Sequence, residues 1–274
     1  MSLDTLLFQA TLAAYGLASA LALTDLFGRW STARAARLTL LAGFGLHCAT
    51  LTTRIAAAGL LPLAGRPESL AFFSWAMVAL FLLFSRRYPL AVLSAFITPL
   101  ALILLLLSRL TPLRPAPTLA GWWLPLHVVL ALLGNAAFAV AAGAGILYLM
   151  QERMLKSKRI APLCYRLPAL DTLDTINLRC LTLGFPLLTL SMVFGALVAE
   201  SVWGSYWRWG AKESWALLSW FLFAILLHGR LAIGWRGRKA AQLAIAGFIC
   251  LLFTFVGVNL LFSGWYGGFT PGAP

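Results

Sequence analysis

Long apolar stretches, each about the length of a bilayer crossing, alternate with short polar connections along the whole chain. Eight can be marked, at about Leu6–Phe27, Arg37–Leu60, Ser69–Ser85, Pro89–Ser108, Trp123–Met150, Arg179–Glu200, Glu213–Trp235 and Ala240–Phe262. A helix needs about 20 apolar residues to cross the hydrocarbon, and each stretch suits one such span. The alternation of an outer-membrane strand is absent, and the stretches are too long for one. The pattern predicts an all-α fold: a polytopic membrane bundle of about eight transmembrane helices. No linker or composition break divides it, so residues 1–274 read as one domain.

Composition narrows this further. A chain that is 61% hydrophobic and 11% charged could not solvate its surface as a soluble domain. The net charge of +13 suggests nucleic acid only until the cations are placed. Fifteen lysines and arginines fall on one set of loops: Arg29, Arg34, Arg37, Arg86, Arg87, Arg153, Lys156, Lys158, Arg159, Arg166, Arg179, Arg230, Arg236, Arg238 and Lys239. Six fall on the other: Arg54, Arg66, Arg109, Arg114, Arg208 and Lys212. Basic loops stay inside, so both termini are expected outside, the partner is the lipid bilayer, and no nucleic acid is implied. The first apolar run lacks a preceding basic region and reads as a retained span. The four cysteines form no Cys-x-x-Cys pair, which argues against thiol-redox chemistry and covalent haem attachment.

Between the sixth and seventh spans lies Trp203 to Trp215, read as Trp-Gly-Ser-Tyr-Trp-Arg-Trp-Gly-Ala-Lys-Glu-Ser-Trp. An interfacial belt accounts for single tryptophans, but not for Trp203, Trp207, Trp209 and Trp215 within thirteen positions. This is an amphipathic platform on which a large planar ligand can lie while Arg208 and Lys212 hold anionic substituents. The loop from Gln151 to Leu178 places Leu167, Leu170, Leu173 and Ile176 at the spacing of a short interfacial helix. Small residues from Gly134 to Gly145 allow close approach in the fifth span.

The chain has three histidines, all in or against spans. His47 lies about ten residues past Arg37, roughly 15 Å deep, and His228 about seven residues before Trp235, roughly 10 Å from that interface. Two imidazoles at similar depth suit the axial positions of a haem iron; either alone is equally explained by a hydrogen bond to a neighbouring helix. His127 stands at the outer end of the fifth span. Gly43, His47, Thr50 and Arg54 share one helical face, which turns Arg54 inward toward a ligand carboxylate, Glu68 or Glu200. There is no nucleophile–base pair, no phosphate loop and no metal-ligand cluster apart from the histidines, so no independent enzyme is indicated.

The tryptophan-rich stretch, followed by Leu-His-Gly-Arg-Leu, resembles the "WWD" signature of the CcsA/ResC/CcmC-type cytochrome c assembly proteins and the related HemX proteins. The resemblance takes in Leu46-His47, Glu68-Ser69, Phe84-Ser85-Arg86-Arg87, Trp123 to His127, Leu170-Asp171-Thr172-Leu173-Asp174 and Leu183-Gly184-Phe185-Pro186. It implies haem b, held non-covalently, with His47 and His228 as the membrane-depth iron ligands and His127 as an outer ligand. It also implies Trp203, Trp207, Trp209 and Trp215 as the platform. As partners it implies haem, a CcsB/ResB-like membrane subunit and apocytochrome c, at the bacterial cytoplasmic membrane with the tryptophan-rich loop on the periplasmic side.

Two departures stand out. The family reads Trp-Asp-Pro-Lys-Glu where this chain has Trp209-Gly210-Ala211-Lys212-Glu213; glycine is also an acceptable N-cap, so helix seven is expected to start here. The family's second outer histidine follows its last span, but here the segment reads Ser263-Gly264-Trp265-Tyr266-Gly267. Two functions remain open: haem delivery for cytochrome c assembly, or HemX-type control of haem biosynthesis at glutamyl-tRNA reductase. A solute transporter is disfavoured, because no inverted repeat or pair of broken helices is evident.

Overall fold

The computed structural model describes residues 3–27, 31–58, 66–111, 122–157 and 166–258. Its elements are α1 (Leu3–Phe27), α2 (Ala33–Ala58), α3 (Arg66–Ser85), α4 (Ala91–Leu110), α5 (Trp123–Lys156), α6 (Leu170–Trp203), α7 (Ala211–His228) and α8 (Arg238–Leu252). π-Helical turns at Gly229–Ile233 and Phe253–Gly257 extend the last two. All eight helices are long and apolar enough to cross a membrane. No strand occurs among the described residues.

The helices run up and down. Ala141 meets Asn177 and His127 meets Ser191 across α5 and α6; Asp4 meets Arg54 and Tyr15 meets His47 across α1 and α2. The long α5 is the axle, in contact with α3, α4, α6 and α8, while α1 bridges α2 to α4 and α8 carries α7. The small-residue run in α5 does what its composition predicts. A Cβ on Gly134 would lie 3.2 Å from the Gly184 carbonyl, and one on Gly145 would lie 3.0 Å from that of Ala241. Without a hydrophobic drive between helices in lipid, such backbone approach is a main source of packing energy.

One expected element is corrected. Among the described residues no separate interfacial helix precedes the sixth span, because Leu170 already begins the continuous 34-residue α6. Leu173 and Ile176 are fully buried in the protein instead of resting on lipid, and Asn177 donates to the Ala141 carbonyl. The fifth span likewise runs on to Lys156.

Candidate functional site

The start of α5 and the end of α6 are built from stacked rings. Trp122 stacks on Trp123 at 3.8 Å, and Trp123 lies against Phe194 at 5.6 Å. One turn further along α5, the half-buried His127 faces α6, and its Nδ1 donates to the Ser191 carbonyl at 2.7 Å. The Ser191 hydroxyl lies 3.2 Å from the same nitrogen. Gly195 leaves the space the ring occupies, since a Cβ there would come within 2.9 Å of it. A carbonyl can only accept, so Nδ1 bears the proton and Nε2 keeps its lone pair. That tautomer, fixed through the far nitrogen, is how ligating histidines are held.

Beside this lies the tryptophan-rich connection. α6 ends on Gly204 in the left-handed conformation (φ 67°), whose N–H bonds to the Glu200 carbonyl. Trp207 and Trp209 meet edge to face at 5.7 Å, and the Arg208 guanidinium lies 5.3 Å over Trp203. Trp209 is 73% exposed with φ 56°, and the other described residues with positive φ are glycines. The Trp207 indole N–H is buried and lacks an acceptor among the described residues, a donor that a ligand carboxylate would satisfy. Trp215 packs on Phe253 at 4.5 Å, and Lys212 comes within electrostatic reach of His127. Glu213 accepts from the Gly210 N–H, so α7 starts at Ala211 as expected without the family's Asp-Pro.

The two membrane-depth histidines differ in setting. His47 is 1% exposed; its Nδ1 meets the Tyr15 hydroxyl at 3.1 Å, while its Nε2 is buried without a partner among the described residues. His228 is exposed and borders an open depression of about 370 Å³ with Ala224, Ile225, Ile233 and Trp235. The expectation of equal depth is corrected. Tyr15, level with His47, lies ten residues before Asp25 of the polar layer at that end, about 15 Å along the helix. His228 is two residues from Arg230 of the polar layer at the same end, about 3 Å along the axis. Nor do α2 and α7 pack extensively on each other; the structure does not bring the two rings together.

The polar face of helix two does turn inward, onto α1. Arg54 makes a two-pronged pair with Asp4, at 2.8 and 3.1 Å, in place of the expected Glu68 or Glu200. Tyr15 and Asp4 are the partners that sequence reasoning missed. Asp4 is one of the few acids at that end, whereas nothing separates Tyr15 from an ordinary packing aromatic. The segment Ser263 to Gly267, with Trp265, lies outside the described residues.

A polytopic helical membrane protein with a tautomer-fixed histidine on the helix pair that leads into a tryptophan-rich connection is the class that this fold and site define. The chain belongs to the cytochrome c assembly protein family, whose model matches residues 63–266. Two relatives are each described as cytochrome c biogenesis protein CcsA. That from Chlamydomonas reinhardtii is 36% identical over 78% of this chain and 62% of its own length. That from Synechococcus sp. (strain RCC307) is 34% identical over 89% of this chain and 88% of its own. The solved cytochrome c heme lyase CcmF shares the fold, with a TM-score of 0.66 at 19% identity, across 97% of this chain and 50% of that one. These matches point to cytochrome c assembly and give no support to the HemX-type alternative. The family match begins after α2, so His127, His228 and the tryptophans lie inside it, and His47 and Arg54 lie outside.

Proposed function

We propose that the protein binds haem b non-covalently in the bacterial cytoplasmic membrane and presents it at the outer face for attachment to apocytochrome c. The observation that carries this reading is the setting of His127: a ring fixed through Nδ1, its Nε2 left as a ligand, with Lys212 within electrostatic reach, on the helix pair that leads into the tryptophan-rich connection with its Trp207–Trp209 pair and Arg208 over Trp203. Haem is the cargo. The chain's part is to hold the imidazole in one tautomer, give the porphyrin plane apolar surface, meet its carboxylates with cations and the Trp207 N–H, and keep the site at the membrane edge.

At membrane depth His228 is the open ligand, bordering a depression with Trp235 as a wall. His47 has the unpartnered Nε2 of a ligand inside a closed helix pair. With three histidines in the chain, the outer iron receives one imidazole from this protein, and its other position is left to apocytochrome c or a CcsB/ResB-like subunit. The basic side faces the cytoplasm and the tryptophan-rich loop the periplasm.

Absorption spectra of the detergent-purified protein test this, with wild type beside His127→Ala, His228→Ala and His47→Ala. Wild type is expected to carry a Soret band that weakens or shifts when a ligand is removed and recovers with added imidazole. A wild-type protein that takes up no haem, or four identical spectra, would overturn the reading. Complementation of a strain lacking its own assembly protein separates delivery from control of haem synthesis.

A further inference from the structure

The nine residues after His228 form a hook. The helix widens into a π turn at Gly229–Ile233, reverses at Gly234 (φ 78°) and re-enters α8 through Gly237 (φ 64°). Trp235 folds back across it: its backbone N–H donates to the Gly229 carbonyl at 2.8 Å, and its ring covers Gly229 so closely that a Cβ there would not fit. This ring is also a wall of the depression that His228 borders.

One carboxylate fastens both ends of the hook. Arg230, its side chain 3% exposed, donates to both oxygens of Asp174 and to the Asp174 carbonyl. The Gly237 N–H donates to Asp174 Oδ1 at 2.9 Å. Asp174 sits in the first turns of α6, where Leu173, Ile176 and Asn177 are locked into the core. An ion pair this enclosed, at the ends of two spans, is costly to bury and asks for a reason. As a fold staple it would be easily replaced by apolar packing, and its position two residues from His228 is then unexplained. π Turns cluster at functional sites for a related reason, because they rotate the residues beside them out of helical register.

We propose that Asp174 and Arg230 are positioning residues for His228, setting the hook that aims its imidazole into the Trp235-walled depression. The proposal rests on the reading of His228 as a haem ligand. Partners bonded directly to a metal ligand typically change affinity by about 10–100-fold when removed; Asp174 and Arg230 act on His228 only through the hook, so the low end applies.

The test uses the full chain, purified in detergent and titrated with haem, comparing Asp174→Asn, Arg230→Gln, Arg230→Lys and the swap Asp174→Arg/Arg230→Asp with His228→Ala. Asp174→Asn and Arg230→Gln are expected to shift the Soret and reduced α bands in the same sense as His228→Ala. They are also expected to weaken haem binding about tenfold, toward the low end of that range. Arg230→Lys, which keeps the charge but not the fork, should fall between them and wild type, and the swap should regain part of the loss. Should Asp174→Asn or Arg230→Gln fail to fold, Arg230→Lys alone decides. If the pair variants lower the melting temperature while keeping wild-type spectra and haem affinity, the pair only stabilises the fold and the proposal fails by itself. If His228→Ala leaves the spectrum unchanged, the haem reading of His228 falls and takes the proposal with it.

Discussion

At Gly195 a single hydrogen decides whether His127 keeps its pose. The imidazole is pinned at Nδ1 and cannot slide away from an added methyl group that would arrive at 2.9 Å. Gly195→Ala is therefore expected to displace the ring and lower outer haem retention, at about 1–3 kcal/mol of overpacking. Paired haem spectra and thermal melts check this, and a variant indistinguishable from wild type in both would show that the ring has room. Arg54 makes the opposite case. Its pair with Asp4 is well formed, but the two side chains are 25% and 41% exposed. Exposed pairs contribute only about 0–1 kcal/mol, so Arg54→Ala should barely move the melting transition. A drop of several kcal/mol would mean that Arg54 supports more than this contact.

Among the elements, the start of α7 carries the clearest expectation. Gly210 has the extended conformation of an N-cap (φ −67°, ψ 165°), and Glu213 closes back on its N–H. Gly210→Asp should gain only a few tenths of a kcal/mol in a thermal comparison; a gain of several kcal/mol would show glycine to be a poor cap here. Element identity was readable because apolar length alone separates spanning helices from everything else. Element ends were less so: α5 and α6, at 34 residues each, outrun the hydrocarbon, and their extensions are polar enough to resemble loops. The Leu170, Leu173 and Ile176 spacing is that of a surface helix, and only the tertiary cover from neighbouring helices makes it a core. The turn after His228 was also opaque: Gly229 and Gly234 hint at a break, but the Asp174 contact that defines it lies more than fifty residues away. The candidate site was legible in its residue types, since histidines and tryptophans are rare and conspicuous. It was not legible in its pairings. His47 and His228 had similar counts, about ten residues from Arg37 and about seven from Trp235, yet those two residues do not mark equal depths.

For the molecule as a whole, the one-sided distribution of cations makes an orientation testable. Tyr206 is 59% exposed in the tryptophan-rich connection, while Ser157 is exposed at the opposite end, where α5 stops. With the native cysteines replaced, Tyr206→Cys should react with a membrane-impermeant maleimide in intact cells, and Ser157→Cys only after permeabilisation. The reverse pattern would invert the bundle and move the aromatic shelf to the cytoplasm. The α1–α2 hairpin has its own bearing on how such a bundle is assembled. Tyr15 with His47, Asp4 with Arg54, and Asp25 with the Thr32 and Ala33 amides all close within this pair. Chains mature from the N-terminus during synthesis, and unsatisfied polar groups in lipid cost several kcal/mol each. Made before α3 and α4, the α1–α2 pair thus carries its own mutual partners and can wait in the bilayer as a unit until they arrive to receive it.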